Sequence, residues 1–582
     1  MLNRIVTLLL AVSVSVSFLL AGSNSKKQIA VPVVPDESAP VLPSKTTPKP
    51  LSDLPPQSSA VGTYTTLQGF YDYQINGGAA QQIKVNPANQ KLHVVYMVDP
   101  DSPIVVGVNA NRGTVYAHST NGGATWNNFS NLRVPTRRSG FETLDLGQGP
   151  IAGAAIIANH SVIGAGGNQG TVFVDFPEGG GAFAEIAPPT GFGSDEAIWP
   201  FVAGASDGSV VMAASRSTAG TNHFARTADF SSWSPLATYP GLNSSGGRYP
   251  THSNGTGRVG VLLQTVATGT FFIESTDNGV SWPSSATEIH PAAPPGRGVA
   301  GVDTFQAWVG ADFVYNGNTP LFVVDELSIG TPARVNPVIA FYSTPTGWKT
   351  IATNVNTPNV PPARNVAQAN TFEIGYPAIG MSGTQIVVVY QAMQRETLNA
   401  FNFIDIFAVR STNGGNTWST PYNVTRTPAL DERYPSMSPW NQTGFANITW
   451  QEDTQPGSAA FSDAAPLSRV RQKFLKLDLT LLTFTGVGER GSESVSGFKL
   501  AQNFPNPFNP ASNIDYSVAT AGLVTIKVYN VLGKEIATLL NEDLQPGTYQ
   551  VNFDGTGLAS GVYYYKMTAG SFSETRKMML MK

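Results

Sequence analysis

The sequence predicts an all-β chain of many short strands and tight turns, and three observations predict it. One octet is written three times: Ser119-Thr120-Asn121-Gly122-Gly123-Ala124-Thr125-Trp126, then Ser275 to Trp282, then Ser411 to Trp418. Aromatic-proline pairs recur about ten residues ahead of hydrophobic runs, at Trp199-Pro200, Tyr249-Pro250, Tyr376-Pro377 and Tyr434-Pro435. Composition agrees with both: 58 Gly and 42 Pro stand beside only 13% charged residues. A typical globular domain carries ~25% charge, so this mix suits turns and argues against long helices.

From the N-terminus, Met1 to about Gly22 reads as a secretory signal peptide. Arg4 supplies the positive start, Ile5 to Leu20 the apolar segment, and Ala21-Gly22-Ser23 the small residues for cleavage. That apolar segment is short for a membrane span, so the mature chain is expected to carry no transmembrane segment. Residues 23–60, rich in Pro, Ser, Lys and Thr, read as an extended linker.

Residues 61–479 cycle through short apolar runs and Gly/Asn/Pro turns. In each octet an Asn or Asp side chain can bond the backbone ahead, and glycine supplies φ > 0. Each octet follows a β-prone run, Val115-Tyr116-Ala117, Phe271-Phe272-Ile273 or Phe407-Ala408-Val409, and so joins strand to strand. Proline is tolerated at a strand's first residue, which makes each aromatic-proline pair a strand entrance. With looser starts near Ile83, Ile151 and Ala307, seven units of roughly 50–70 residues emerge, one four-stranded blade each. The predicted architecture is a six- or seven-bladed β-propeller.

The octet resembles the Asp box of the sialidase-like (BNR-repeat) propellers, with Ser119, Asn121, Gly123 and Trp126 at its positions, then Ser275, Asp277, Gly279 and Trp282, then Ser411, Asn413, Gly415 and Trp418. The resemblance implies a turn between the third and fourth strands of a blade, away from the active face. It predicts the three Trp buried at equivalent places in three blades. Sialidases also use an arginine triad whose first member lies in an Arg-Ile-Pro motif before the first box. Here the nearest match, Leu132-Arg133-Val134-Pro135, follows the box and departs from that pattern.

Residues 480–496 read as a Gly/Ser linker, and 497–582 as a separate Ig-like β-sandwich with alternating strands. This segment resembles the type A C-terminal sorting domain of type IX secretion substrates. The matching residues are Asn503 to Pro510, Tyr529-Asn530-Val531-Leu532-Gly533, Leu558 to Tyr563, and the basic tail Lys577 to Lys582. The resemblance implies the type IX secretion machinery as partner. It also implies a place outside the cell or on the outer-membrane surface of a Bacteroidetes-like Gram-negative bacterium, with the sorting domain removed within the linker.

Net charge is −4 with no basic run, which argues against a nucleic-acid partner. Without cysteine there is no thiolate metal site, and six scattered His show no ligand spacing. No metal and no cofactor is expected. Candidate site residues come from position instead. Charged residues recur just before the strand entrances, at Glu196, Arg248, Asp303, Glu373, Glu432 and Arg433. In a propeller these would converge at the mouth of the central channel. Glu373 and Glu432 are the acid/base candidates; Glu196, Arg248, Asp303 and Arg433 are the ligand-binding ones. Two functions fit: a binding module for glycan or polymer with Trp199, Tyr249, Tyr376 and Tyr434 presenting rings to sugars, or a glycoside hydrolase or lyase using paired carboxylates. Solvated turn charges and inter-blade ion pairs are the remaining readings.

Overall fold

A computed structural model describes residues 61–63 and 74, most of 81–484 and most of 497–581. The longer stretches outside the description within these ranges are 100–110, 163–167, 188–196, 217–221, 243–248, 292–303, 330–334, 362–372 and 458–467. The signal peptide (1–22), the linker at 23–60 and most of the second linker also lie outside the described residues.

Strand pairing groups residues 61–484 into seven sheets, each built from successive antiparallel strands, with three strands in the first and third rather than the expected four. The sixth also takes Trp440–Asn441 as a short parallel edge beside Met381–Ser382. Their innermost strands are Ile83–Val85, Ser139–Leu146, Ala197–Gly204, Thr251–Ser253, Thr304–Asn316, Ile374–Ser382 and Asp431–Met437. These are blades 1 to 7. Blade 7 takes its outermost strand from the other end of the segment, since Val61–Thr63 pairs antiparallel with Arg471–Asp478. Blades 7 and 1 also meet directly, where Ser436 Oγ accepts from Gln82 N (2.9 Å) and Ser438 Oγ from Val85 N (3.0 Å). The ring is closed, and the chain is a seven-bladed propeller over the described residues. Near its end Leu482 is buried against blades 6 and 7, and Thr483 O accepts from Thr420 N (3.3 Å), so packing extends past residue 479.

The three octets follow the third strand of blades 1, 4 and 6, leading to a fourth strand in blades 4 and 6 and to isolated bridges (His118 with Asn127, Val115 with Arg133) in blade 1, and repeat one set of bonds. Ser119 Oγ accepts from Gly123 N (2.9 Å) and Asn121 Oδ1 from Thr125 N (2.9 Å). Ser275 with Asp277, and Ser411 with Asn413, repeat both bonds at the same distances. Each Trp then reaches back to its glycine, Trp126 to Gly123 O (3.1 Å), Trp282 to Gly279 O (3.1 Å) and Trp418 to Gly415 O (3.0 Å). The three rings are half-buried rather than buried, because each lies along the seam to the preceding blade. There Trp126 meets Phe474, Trp282 meets Phe224 and Trp418 meets Phe341, at 5.1, 5.3 and 5.1 Å between centroids. Each partner sits on the third strand of the blade before, so the turn also staples two blades together.

The aromatic-proline pairs fall inside the inner strands rather than at their entrances in three of four cases. Register shifts bracket Trp199-Pro200, Tyr376-Pro377 and Tyr434-Pro435, and each pair forms a β-bulge. A bulge leaves its extra residue out of the ladder, so proline costs no hydrogen bond there. Only Tyr249-Pro250 precedes its strand, Thr251–Ser253. Ile151 does not open a blade either; it closes a short 3-10 turn between the first two strands of blade 2. The bulge of that blade is Phe141-Glu142, which lacks the proline that marks the others.

Residues 497–581 form two sheets, of three and four strands, packed over one core. Ile514, Tyr516, Val518 and Phe553 face Val524, Ile526, Val528, Tyr565 and Met567 across it. The arrangement is a two-sheet β-sandwich. Its proline-rich opening lies along the edge strand Phe572–Leu580, with Phe508 N donating to Met579 O (2.9 Å) and Met581 N to Phe508 O (3.0 Å). A covered edge cannot template pairing with another chain.

Candidate functional site

Five of the inner strands carry a bulge, counting that of blade 5 between Ala307 and Ala311. Four of them hold an aromatic residue in the left-handed region: Phe141 (φ 53°), Trp199 (50°), Tyr376 (53°) and Tyr434 (56°). Such a conformation costs on the order of 1–3 kcal/mol per residue and persists only where neighbours over-determine it. The neighbours are polar side chains on the second strand of the preceding blade. Asp325 Oδ2 accepts from Tyr376 N (3.0 Å) and its Oδ1 from Gly310 N (2.8 Å), while Gln391 Oε1 accepts from Tyr434 N (2.8 Å). In blade 2, His160 packs edge-on against Phe141 (4.9 Å) and bonds the Arg112 guanidinium (3.2 Å).

This geometry places the aromatic rings between blades. Tyr249, Tyr376 and Tyr434 are buried, the last two in a T-shaped pair at 5.6 Å, so they do not present faces to a ligand. Trp199 alone of the four keeps a partly open ring.

Of the six site residues expected from sequence, Glu196, Arg248 and Asp303 lie outside the described residues. Glu373, Glu432 and Arg433 are buried, not solvated. Glu373 stands one residue before the inner strand of blade 6, its carbonyl accepting from Met393 N (2.8 Å). Arg433 Nε bonds Asp431 Oδ2 at 2.6 Å. Glu432 points the other way along the strand, into the seam with blade 6. There it shares a hydrogen bond with Asp405, on the third strand of that blade. Only neutral donors complete the pair: Thr427 Oγ1 to Glu432 Oε1 (2.6 Å) and Asn423 Nδ2 to Asp405 Oδ2 (2.5 Å). Burial pushes the Asp405 carboxyl up to about 7. Burial first, and the Asp405 charge second, hold Glu432 well above the usual carboxylate range. Two buried carboxyls bonded to each other must hold a proton between them.

Sequence reasoning missed a third carboxyl. Glu142, on the bulge of blade 2, is buried between blades 1 and 2 and accepts from Gln82 Nε2 (3.1 Å) and Thr114 Oγ1 (3.3 Å). Burial raises it to about 7, as it does Asp431 despite the adjoining Arg433. Burial therefore raises the proton affinity of four acidic side chains, Glu142, Asp405, Asp431 and Glu432.

Below the bulges the channel is closed by side chains. Lys84 of blade 1 bonds Asp145 of blade 2 (3.1 Å) and lies 3.4 Å from Nδ1 of His252 in blade 4. His252 Nε2 meets Asp312 Oδ1 of blade 5 (3.1 Å), and Gln81 Nε2 reaches Thr251 O (3.2 Å). Blades 1 and 4 thus touch across the axis through polar side chains. Among the described residues no three His, Asp or Glu side chains converge as metal ligands, and no helix is long and apolar enough to cross a membrane.

Comparison with known proteins gives one family match. Residues 502–581 match the model of the secretion system C-terminal sorting domain. This segment is the type IX sorting domain, and the chain is a secreted protein. No curated protein matches the chain in sequence. Among solved structures it is similar to the α-L-arabinanase of Penicillium chrysogenum bound to arabinobiose, at 14% identity and TM-score 0.36 over 63% of this chain and 99% of that one. It is similar to the polysaccharide lyase Uly1 at 10% identity and TM-score 0.39, over 72% and 95%. A mutant Aleuria aurantia lectin bound to α-methyl-L-fucoside follows at 14% and 0.34, over 61% and 97%. The fold rests on the strand pairing described above rather than on these similarities.

Proposed function

We propose that this is a cell-surface or released propeller of a Bacteroidetes-like bacterium that binds a glycan or other extracellular polymer at the channel mouth. The observation that carries the reading is the pairing of four strained aromatics with buried carboxyls of raised proton affinity. Stored strain and perturbed carboxyls gather at functional sites more than elsewhere. The site would comprise Glu142, Glu373, Glu432 and Arg433, with Glu196, Arg248 and Asp303 contributed from the segments that lead into blades 3, 4 and 5. A guanidinium fork suits an acidic or hydroxyl-rich group. The threefold octet supports kinship with the sialidase-like propellers in architecture.

A second reading, a secreted glycoside hydrolase or lyase, is favoured by Glu142, whose proton affinity near neutrality suits a general acid. Titration of the full chain with neutral and acidic polysaccharides separates the two. Binding without product release is expected, with Glu142→Gln, Glu373→Gln and Arg433→Ala each weakening it about tenfold, the effect of ~1.4 kcal/mol. Unchanged binding in all three would place the site elsewhere. Processing is checked on exported protein: its intact mass is expected to lack residues 1–22 and the domain from 497 onward, and a chain ending at Lys582 would show the domain retained.

A further inference from the structure

The sorting domain leaves one sheet face uncovered. Of the ten large apolar side chains exposed among the described residues, six lie in this domain, although it is the smaller part of the chain. Four of the six gather at one end of the outer face of its four-stranded sheet. Strand alternation turns Val528, Tyr563, Tyr565 and Met578 into the core and Tyr529, Val562, Tyr564 and Met579 outward. Register then sets Tyr529 beside Tyr564, and Val562 beside Met579. The turn that leaves Tyr529 adds Val531, 65% exposed, and Leu532, 88% exposed. Two bonds from the turn's backbone to Asn530 Oδ1, from Leu532 N and Lys534 N at 3.0 Å each, fix it, so its apolar side chains are presented rather than loose.

The rim of this patch is basic. Lys577 continues the row of Tyr529 and Tyr564, and Lys566 lies two residues further along the same strand as Tyr564. Lys534 closes the turn. None of these three is in ion-pair contact with a described carboxylate, whereas Lys527 next to them is neutralised by Glu535 at 2.9 Å. Glu535, opposite Tyr529, is the acid on this rim and is already engaged by Lys527, so the unengaged charges are basic. An apolar centre with a rim of predominantly one sign marks a docking surface.

We infer that the Tyr529–Leu532 end of this sheet face docks on an acidic, apolar-centred protein surface of the secretion machinery. The charge rim chooses the occupant's sign, and the family of the segment chooses its source. Val531 and Leu532 would fill a pocket while Lys566 and Lys577 set orientation through long-range attraction. The inference concerns export and stands whether or not the propeller binds glycan.

The test is export of the full-length chain from the producing bacterium, read as the fraction reaching the surface or medium. Val531→Ser with Leu532→Ser is expected to lower that fraction at least tenfold, and Lys566→Glu with Lys577→Glu to lower it comparably. Val531, Leu532 and Lys577 are exposed and Lys566 is half-buried on the outer face, and unchanged thermal melting of the purified chains would separate docking from misfolding. Should the apolar pair prove unstable, the lysine pair decides alone. Normal export of both pairs overturns the inference. So does normal export accompanied by loss of a dimer, or by loss of binding to anionic vesicles, since the face would then serve a second copy of the chain or a membrane.

Discussion

Glu432→Gln is expected to make the protein more stable than its parent at alkaline pH, by a margin that widens as pH rises. In the folded chain Glu432 and Asp405 bind a proton more tightly than they do unfolded. A raised carboxyl of this kind adds stability that is fully present below the unfolded value, near pH 4, and is lost as pH rises through the folded one. The lost increment approaches ~1.4 kcal/mol per pH unit for each proton. Glutamine keeps the shape, can still accept from Thr427 and donates permanently to Asp405, so no proton need be bound. Asp405 then ionises with less resistance. The measurement is chemical denaturation of parent and variant from about pH 5 to about pH 9, where the difference between the two curves isolates this pair. That subtraction matters because other groups slope the opposite way. His93, His118, His160 and His252 are held neutral by burial, and their contribution is lost as pH falls below the ordinary histidine range. A variant that tracks its parent across the whole range would show that the two carboxyls do not share a proton.

Much of the architecture was legible because it repeats. The octet recurs with its Ser, Asn or Asp, Gly and Trp in place; turn chemistry marked it as a tight turn after a strand, and its place after the third strand came from the resemblance to the Asp-box propellers. Blade count was less legible, because the bulge that marks an inner strand is visible only when proline follows the aromatic residue. Phe141-Glu142 has the backbone of the others without that signature, and Ile151 drew the reading away from it. The candidate charges were legible as neighbours of inner strands, and their environment was not. Charges before an inner strand look solvated in a sequence, yet Glu373, Glu432 and Arg433 are covered by the neighbouring blade. Asp405 stands alone in the apolar run Phe401–Ser411, and nothing local couples it to Glu432 in the next blade. Lys84, His252 and Asp312 meet across a ring closed by residues far apart in the chain, a contact no spacing rule contains.

Gly415→Ala and Gly123→Ala are each expected to cost about 2–5 kcal/mol, while Gly414→Ala and Gly122→Ala beside them should cost about 1 kcal/mol. All four glycines have positive φ, at 91°, 89°, 72° and 67° respectively, so each alanine meets the same conformational penalty of ~1–2 kcal/mol or slightly less. They differ in what a new methyl group would touch. At Gly415 it would lie 2.2 Å from the Phe341 ring and at Gly123 2.1 Å from the Phe474 ring. Nothing stands within 4 Å at Gly414 or Gly122. Phe341 and Phe474 are buried and belong to the preceding blade, so neither can yield without opening the seam that Trp418 or Trp126 closes. Overpacking of that kind adds on the order of 1–3 kcal/mol. Denaturation followed by tryptophan fluorescence reads the seam directly, since Trp418 and Trp126 report from it. Phe341→Leu combined with Gly415→Ala should recover part of the loss, because neighbours that clash are not additive. Equal losses at Gly414 and Gly415 would instead mean that the octet is only a turn, and that its glycine was chosen for φ and not for the blade it leans on.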